Sequence, residues 1–223
     1  MSRKVMIAAV AGLALAGAGV LAATGVLQGG GEAVAAENAT PNEPFAGTVT
    51  ESGGYTGDVI EGAADAPVTV IEYSSLTCPH CASFHKTFYP KLKEEFIETG
   101  KVRFIYRDYP LDNVAVAASI IARCGGEKRY LPMIDVLLTQ QDKWRSSDDV
   151  IGALKQYAKL AGLGGEKVDA CLSDDALGQS ILDRARVGQD EFQVRSTPTV
   201  IVAGEKVQLT GYDDLREAID DQL

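Results

Sequence analysis

The chain has 223 residues, of which 46% are hydrophobic and 23% charged, and its formal net charge at pH 7 is −10. This length and composition fit one elaborated globular domain and argue against wholesale disorder, a collagen-like chain and a multi-span membrane protein. The acidic balance also argues against a nucleic-acid partner, because such proteins usually need a basic patch that displaces counterions from the phosphates.

Residues 1–35 are predicted to be an export signal peptide or a membrane anchor. A short positive start at Arg3 and Lys4 precedes residues 5–27, which carry no charge. A small-x-small cleavage site that ends at Ala35 favours a signal peptide. The apolar run is nevertheless longer than a usual signal core and approaches the ~20 residues of a spanning helix, so an uncleaved anchor is the alternative. Either interpretation places the rest of the chain outside the cytoplasm, where disulfides form and persist.

The first part of the remaining chain predicts a linker and then a strand–helix–strand unit. Residues 36–57 have a Gly, Pro and polar composition without periodicity, which predicts a flexible linker. β-branched runs at 68–73 and 102–106 predict two strands. A helix is expected between them over 79–99, with a kink at Pro90, because proline removes a backbone hydrogen bond. The crossover between the two strands implies parallel pairing.

The second part predicts a block of helices, a β-hairpin and a last helix. Apolar residues recur at helical spacing through residues 113–191. Strand-forming runs return at 199–202 and 207–209, with a turn at 203–206, and an amphipathic helix is expected over 213–223. The hairpin adds antiparallel strands, so the sheet is predicted to be mixed.

Cys78-Pro79-His80-Cys81 carries the chemistry, at the point where the first predicted strand gives way to a helix. The first turn of a helix has free backbone N–H groups and a partial positive charge, which would stabilise a thiolate at Cys78. We therefore expect its pKa to lie below the usual ~8.5. Pro79 fits the first helical position, where its missing N–H costs nothing. His80 can add positive charge or a hydrogen bond, and Cys81 is the natural resolving thiol.

Two other interpretations of this motif stay open. Cys78 and Cys81 could form a plain structural disulfide, although so short a loop gains little entropy from closure. They could instead bind zinc or copper together with His85, although the sequence offers no clear fourth protein ligand. Without a metal, His85 is expected to be an ordinary helix residue.

A second feature is Thr197-Pro198 directly before a predicted strand, a position that proline tolerates. With the Cys-Pro-His-Cys motif and the order of elements, it makes residues 58–223 resemble the DsbA branch of the thioredoxin-fold disulfide oxidoreductases. The resemblance implies an α/β thioredoxin fold with a central mixed sheet and an inserted all-helical subdomain. The fold would comprise an N-terminal part at 58–112, a helical insertion at 113–191 and a C-terminal part at 192–223.

The resemblance also implies roles for individual residues. It makes Pro198 a cis-proline beside Cys78, and it gives Thr197 backbone hydrogen bonds to an extended substrate chain. It makes Glu72 a buried acid that helps to move a proton at Cys81. Oxidases of this branch usually carry Val before the cis-proline, whereas Thr is also found in isomerases, so the preferred redox direction stays open.

Cys124 and Cys171 are predicted to form a structural disulfide. Four cysteines allow three pairings, and the assignment of Cys78 to Cys81 leaves this pair. On the loop-entropy account such a bond would stabilise the fold by roughly 3–4 kcal/mol.

The sequence thus predicts an exported thiol–disulfide oxidoreductase that introduces disulfide bonds into secreted or periplasmic proteins. Its redox centre would be the Cys78–Cys81 pair, so neither a diffusible cofactor nor a metal is expected. The expected partners are reduced, unfolded secreted polypeptides and, by the resemblance, a membrane quinone-linked oxidase of the DsbB type. We expect a monomer, soluble in the periplasm or tethered by its N-terminus. A disulfide reductase or isomerase, and a copper- or zinc-binding module, are the alternatives.

Overall fold

The computed structural model describes residues 42–223. The predicted signal peptide or anchor at 1–35 lies outside the described residues, as does the first part of the predicted linker. Within residues 42–223, none of the helices combines the length and the apolar character that a membrane crossing requires.

A five-stranded mixed sheet forms the centre of the fold, with the strand order β1-β3-β2-β4-β5. β2 and β3 pair in parallel, while β1 with β3, β2 with β4 and β4 with β5 pair antiparallel. The central parallel pair fits the predicted crossover, and the mixed sheet confirms the predicted fold class. The strands are β1 Ile60–Glu61, β2 Val68–Ser74, β3 Val102–Asp108, β4 Thr199–Val202 and β5 Glu205–Val207.

Nine α-helices and one π-helical turn surround this sheet within the described residues. Most of them lie between β3 and β4, where the helical insertion was predicted. The helices are α1 Pro79–Thr87, α2 Tyr89–Leu92, α3 Asn113–Cys124, α4 Glu127–Thr139, α5 Gln141–Arg145, α6 Val150–Leu160, α7 Gly165–Leu172, α8 Asp175–Phe192 and α9 Tyr212–Asp220, and the π-helical turn is Lys93–Ile97.

The two central strands, β2 and β3, are buried on both faces. Side chains alternate between the faces along a strand, so neighbouring residues enter different apolar clusters. Val70 and Phe104 belong to the larger apolar cluster, which the helical block completes. Ile71 and Ile105, one position further along, belong to a smaller cluster on the opposite face. Glu72 follows Ile71 and therefore lies on the same face as Val70, the face that α1 covers.

The expected single helix over 79–99 is divided at the predicted kink. α1 ends at Thr87, and Pro90 occupies the first turn of α2, where its missing N–H removes no helical hydrogen bond. The chain then makes the π-helical turn and leaves the helix at Gly100, whose φ is +76°. A positive φ at a helix end favours glycine.

The hairpin turn is tighter than predicted. We expected the turn to occupy residues 203–206 and the strand to occupy 207–209, but β5 already begins at Glu205. Ala203 and Gly204 both have positive φ, at 49° and 90°. A two-residue connection with positive φ at both positions matches the twist of antiparallel strands, which explains the short turn.

Residues 42–57 are packed against the domain, which corrects the prediction of a flexible linker and of a fold that begins near Asp58. The ring of Phe45 lies 4.4 Å from the Arg107 guanidinium carbon, and the backbone N–H of Asp58 donates to the carbonyl of Phe45 at 3.0 Å. Nη1 of Arg123 donates to the carbonyls of Tyr55 and Gly57 at 3.0 and 2.8 Å. A composition rich in Gly and polar residues predicted mobility here, but buried arginines elsewhere in the chain hold the segment through its backbone.

Candidate active site

The motif lies where β2 delivers the chain to the start of α1. Cys78 is the N-cap residue of α1, with an extended backbone at φ −82° and ψ 120°, and Pro79 occupies the first helical position. The backbone of His80 and Cys81, in the first turn of α1, helps to lower the pKa of the Cys78 thiol. Cys78 and Cys81 are both buried, and the structure holds them as free thiols.

The surroundings of Cys78 favour its thiolate and lower its pKa to about 5. The largest contribution is the hydrogen bond from the Cys81 thiol, and burial opposes it. Contacts with Thr197 and the two backbone N–H groups of the first helical turn add to the lowering. In its thiol form, Cys78 Sγ donates to the carbonyl oxygen of Thr197 at 3.3 Å.

Cys81 has the opposite environment, and its pKa is raised above the ordinary thiol value. Burial is the largest cause, since no part of the side chain is exposed. The hydrogen bond given to Cys78 and the nearby Glu72 carboxylate also favour the protonated thiol. The backbone N–H of Ser75 donates to Cys81 Sγ at 3.5 Å. One motif thus holds a thiol that ionises readily and a second that keeps its proton.

Gln141, at the start of α5, braces the loop that carries Cys78. Its buried Nε2 donates to the carbonyl of Leu76 at 2.7 Å and to that of Cys78 at 2.9 Å. The sequence analysis missed this residue, since nothing in the local pattern around position 141 relates it to a motif 63 positions away. Only the folding of the helical block over the motif brings the two together.

Asp112 is a second brace that the sequence analysis missed. Its Oδ1 accepts from the backbone N–H of Ala115 and caps α3, while its Oδ2 accepts from the Thr77 hydroxyl at 2.8 Å. Asp followed by Asn ahead of an apolar helix is an N-cap signal, so the cap could have been found from sequence. The link to Thr77 depends on the tertiary fold.

Glu72 and His85 form a buried pair behind the motif. Nε2 of His85 lies 2.9 Å from Oε2 of Glu72. Burial lowers the pKa of the imidazole, but the carboxylates of Glu72 and Asp135 outweigh it and raise that pKa to about 9. His85 is therefore not the ordinary helix residue that we expected. Its two ring nitrogens face the carboxylates of Glu72 and Asp135, so they are not turned toward the cysteines as metal ligands. Within residues 42–223, no three His, Cys, Asp or Glu side chains are grouped so that they could hold a metal ion.

Thr197 and Pro198 lie directly across from the motif, and the peptide bond between them is cis. A groove of about 630 Å³ opens beside them, and the exposed His80 lines one wall of it. The roles predicted for Pro79, His80, Glu72, Thr197 and Pro198 in catalysis stay predictions. The remaining lining residues are Ser83, Phe84, Thr87, Phe88, Gln193, Arg195, Ser196, Thr199, Lys206, Val207, Gln208 and Leu209.

Cys124 and Cys171 are joined by a disulfide with Cα atoms 5.9 Å apart. The bond links the end of α3 to α7, and both side chains are buried. It lies inside the helical block, separate from Cys78 and Cys81.

Comparison with known sequences places this geometry in a family. A family model described as thioredoxin matches residues 55–221. A Rickettsia bellii protein that carries a provisional protein-disulfide oxidoreductase name is 32% identical over 164 residues, which cover 73% of this chain and 63% of that protein. A Bacillus anthracis protein, provisionally named disulfide bond formation protein D, is 27% identical over 173 residues. The matched region covers 73% of this chain and 76% of the Bacillus protein. The chain thus spans less than two thirds of the length of the Rickettsia relative.

Solved structures share the fold. The crystal structure of alpha-DsbA1 from Wolbachia pipientis superimposes with a TM-score of 0.65 at 24% identity, over 74% of this chain and 90% of that one. Oxidised BdbD from Bacillus subtilis gives a TM-score of 0.64 at 21% identity, over 81% and 98%. The chain therefore belongs to the thioredoxin family and has the fold of its DsbA-like members.

Proposed function

We propose that this protein is an exported protein-disulfide oxidoreductase that donates the Cys78–Cys81 disulfide to reduced polypeptides. The observation that carries the proposal is the contrast between two thiols of one motif. The Cys78 pKa is lowered to about 5, whereas burial raises that of Cys81. A thiolate that is ready at neutral pH, next to a protected resolving thiol, is the arrangement that disulfide exchange requires.

The exchange proceeds in two displacements at sulfur. A substrate thiolate attacks Cys78 Sγ of the oxidised pair, the bond to Cys81 breaks, and Cys81 leaves with the electron pair and takes up a proton. A second substrate thiolate then attacks the substrate sulfur of the mixed disulfide. The substrate gains its disulfide, and Cys78 leaves as a stabilised thiolate. The pair has then taken up two electrons from the substrate.

The stability of that thiolate favours the oxidising direction. Stabilisation of the reduced form makes the disulfide easier to reduce, so the protein becomes a stronger oxidant. Cys78 is a good leaving group for the same reason, since a thiol of lower pKa leaves faster. The proposal thus places oxidation ahead of reduction or isomerisation, although Thr197 stands where isomerases also carry Thr.

The groove beside Thr197 suits an unfolded polypeptide as substrate. Phe84, Phe88 and Leu209 give it apolar walls, and the edge strand β5 borders it. An extended chain could place its cysteine at Cys78 and its apolar neighbours against these rings, as sheet-edge recognition of peptides does. Such a site would accept many sequences, which an oxidase of newly exported proteins needs.

Export supplies the setting for this chemistry. The N-terminal segment predicts a signal peptide or an anchor, and the buried Cys124–Cys171 disulfide is of the kind that persists in an oxidising compartment. We propose a monomer in the periplasm, soluble or tethered, with no diffusible cofactor, because the cysteine pair holds the electrons. A membrane quinone-linked oxidase of the DsbB type would restore the disulfide.

The direct test is the oxidation of a reduced, unfolded protein by the oxidised full-length chain. Reduced ribonuclease A is a suitable substrate, and free thiols and recovered nuclease activity are followed over time. One disulfide should appear in the substrate for each Cys78–Cys81 pair reduced. The Cys78→Ser variant should give none.

Two results would contradict the proposal. One is an oxidised chain that leaves the substrate thiols untouched under conditions in which Cys78 and Cys81 are confirmed to be bonded. The other is a chain that only rearranges scrambled ribonuclease, without net transfer of oxidising equivalents, because this outcome identifies an isomerase. The Lys86→Gln variant, with its change on the exposed side of α1, serves as the matched control.

A further inference from the structure

The buried Glu72–His85 pair contains an imidazole that the exchange steps above do not use. Glu72 is fully buried and His85 is 3% exposed. Nε2 of His85 donates to Glu72 Oε2 across 2.9 Å. A buried ion pair is often no more stable than apolar residues of similar size, so this pair is poorly explained as a device for stability alone.

Each member of the pair keeps one buried polar atom without a hydrogen-bond partner among the described residues, namely Oε1 of Glu72 and Nδ1 of His85. Cys81 lies one helical turn before His85 on α1, so both buried side chains are on the same side of this helix, and Glu72 raises the pKa of the Cys81 thiol. Oδ1 of Asp135, on α4, lies 3.9 Å from Nδ1, and the Asp135 side chain is 48% exposed. The pair therefore connects the surroundings of a buried thiol to a carboxylate at the surface.

The other groups that face His85 carry no competing charge. The ring of Tyr89 stacks on the imidazole at 4.7 Å, and Tyr106 on β3 contacts it edge-on at 5.9 Å. Burial raises the pKa of both phenols, so both stay protonated in the working range. The charges that face the imidazole from neighbouring elements are the Glu72 carboxylate on β2 and the Asp135 carboxylate on α4.

We propose that His85 is a positioning residue, which keeps the charge of the buried pair constant while Glu72 exchanges a proton with Cys81. The inference rests on the thiol–disulfide exchange proposed above and adds a path for its proton. As Glu72 takes up a proton, His85 releases its Nδ1 proton toward Asp135 and water. The Nε2–H bond to Glu72 is kept throughout, and the pair is neutral overall before and after.

The step balances as follows. The Cys81 thiol gives its proton to Glu72, and the resulting thiolate attacks Cys78 Sγ in a mixed disulfide with a partner. The Cys78–Cys81 bond forms, and the partner sulfur leaves as a thiolate. When a substrate later breaks the Cys78–Cys81 bond, Cys81 takes the proton back from Glu72, and His85 recovers one at Nδ1.

The test is a stopped-flow reaction of the reduced full-length chain with excess Ellman's reagent. Attack by Cys78 releases one thionitrobenzoate in a first, concentration-dependent phase. Attack by Cys81 on the mixed disulfide releases another in a second, concentration-independent phase. At neutral pH, His85→Gln should slow the second phase roughly tenfold, within the range of a lost acid–base contribution, and should leave the first phase unchanged.

The double variant separates this role from a merely structural one. If His85 acts through Glu72, then His85→Gln should have little further effect in a Glu72→Gln background. Asp135→Asn, at a half-exposed position, should slow the second phase by a smaller factor and tests the path even if His85→Gln fails to fold. Lys86→Gln, next to His85 on the exposed side of α1, should match the wild type.

Three results would overturn the inference. They are an unchanged second phase in a folded His85→Gln protein, an undiminished effect of that change in the Glu72→Gln background, and an unchanged second phase in Asp135→Asn where His85→Gln does not fold. A wild-type chain without a second phase would contradict the proposed exchange itself, so the two failures are distinguishable.

Discussion

The sulfur of Cys78 lies 3.3 Å from the carbonyl oxygen of Thr197, although 119 positions separate the two residues. The contact joins the N-terminus of α1 to the loop that enters β4, and it places the reactive sulfur at the edge of the groove. The sheet makes this possible, because β2 and β4 pair directly and antiparallel, so that β2 ends beside the residue at which β4 begins.

The low pKa of Cys78 should depend on Cys81. The Cys81 thiol donates the hydrogen bond that is the largest cause of the lowering. Replacement of Cys81 with Ala should therefore raise the Cys78 pKa by one unit or more, which corresponds to about 1.4 kcal/mol. Cys81→Ser, which keeps a donor, should raise it less. Thiolate absorbance against pH measures both, and equal pKa values in the Ala and Ser variants would refute this account.

The stabilisation that His85 gives to the fold should be lost as the pH rises. Its folded pKa is raised from 6.5 to about 9, so its contribution is complete below pH 6.5 and is lost as pH rises through 9. The difference in unfolding free energy between reduced wild type and His85→Gln should fall by about 3 kcal/mol across this window. Denaturant unfolding at several pH values measures it. The cysteines titrate in both proteins, so their effect cancels in the difference, and a flat difference would be inconsistent with a charged His85.

Gln141 should contribute more to the free energy of unfolding than an ordinary surface glutamine does. Gln141→Leu removes two hydrogen bonds to the carbonyls of Leu76 and Cys78 and leaves both acceptors buried. The expected cost is about 1–3 kcal/mol in unfolding free energy. Gln156→Leu, on the exposed side of α6, is the matched control and should cost little. Equal losses in the two variants would show that the brace is unimportant.

Removal of residues 42–57 should damage the fold. The backbone of this segment accepts hydrogen bonds from Arg107 and Arg123, both fully buried. A chain that begins at Asp58 would keep the carboxylate partners of both arginines but lose these backbone acceptors, at a cost of about 1–3 kcal/mol for each group left unsatisfied. Thermal unfolding of chains that begin at residues 42 and 58 tests this. Equal melting temperatures would restore the view of the segment as a linker.

The elements that sequence predicted well are those set by local patterns. The β-branched runs at 68–73 and 102–106 lie in the two central strands, and Cys78 caps a helix because a strand ends and a proline follows. The two-residue hairpin turn was missed because Ala203 carries no signal for a positive φ. Residues 36–57 were interpreted from composition alone, which does not record the buried arginines that hold residues 42–57.

The parts of the site that sequence reasoning missed depend on tertiary contacts. Gln141 and His85 have no local motif, and each acquires its role only when a helix packs against the strand or loop that carries its partner. Glu72 could be expected near Cys81 from a family resemblance, but a polar residue within an apolar strand does not reveal that a histidine faces it. The site therefore combines a motif that is visible in the sequence with a set of supporting contacts that only the fold creates.

The reduction potential of the Cys78–Cys81 pair tests the central claim most directly. The full-length chain is equilibrated in glutathione buffers, and alkylation with mass spectrometry measures this pair separately from Cys124–Cys171. An oxidase with a stabilised Cys78 thiolate should have a potential near about −120 mV. A value near about −270 mV, typical of a thioredoxin-like reductant, would contradict the proposed function.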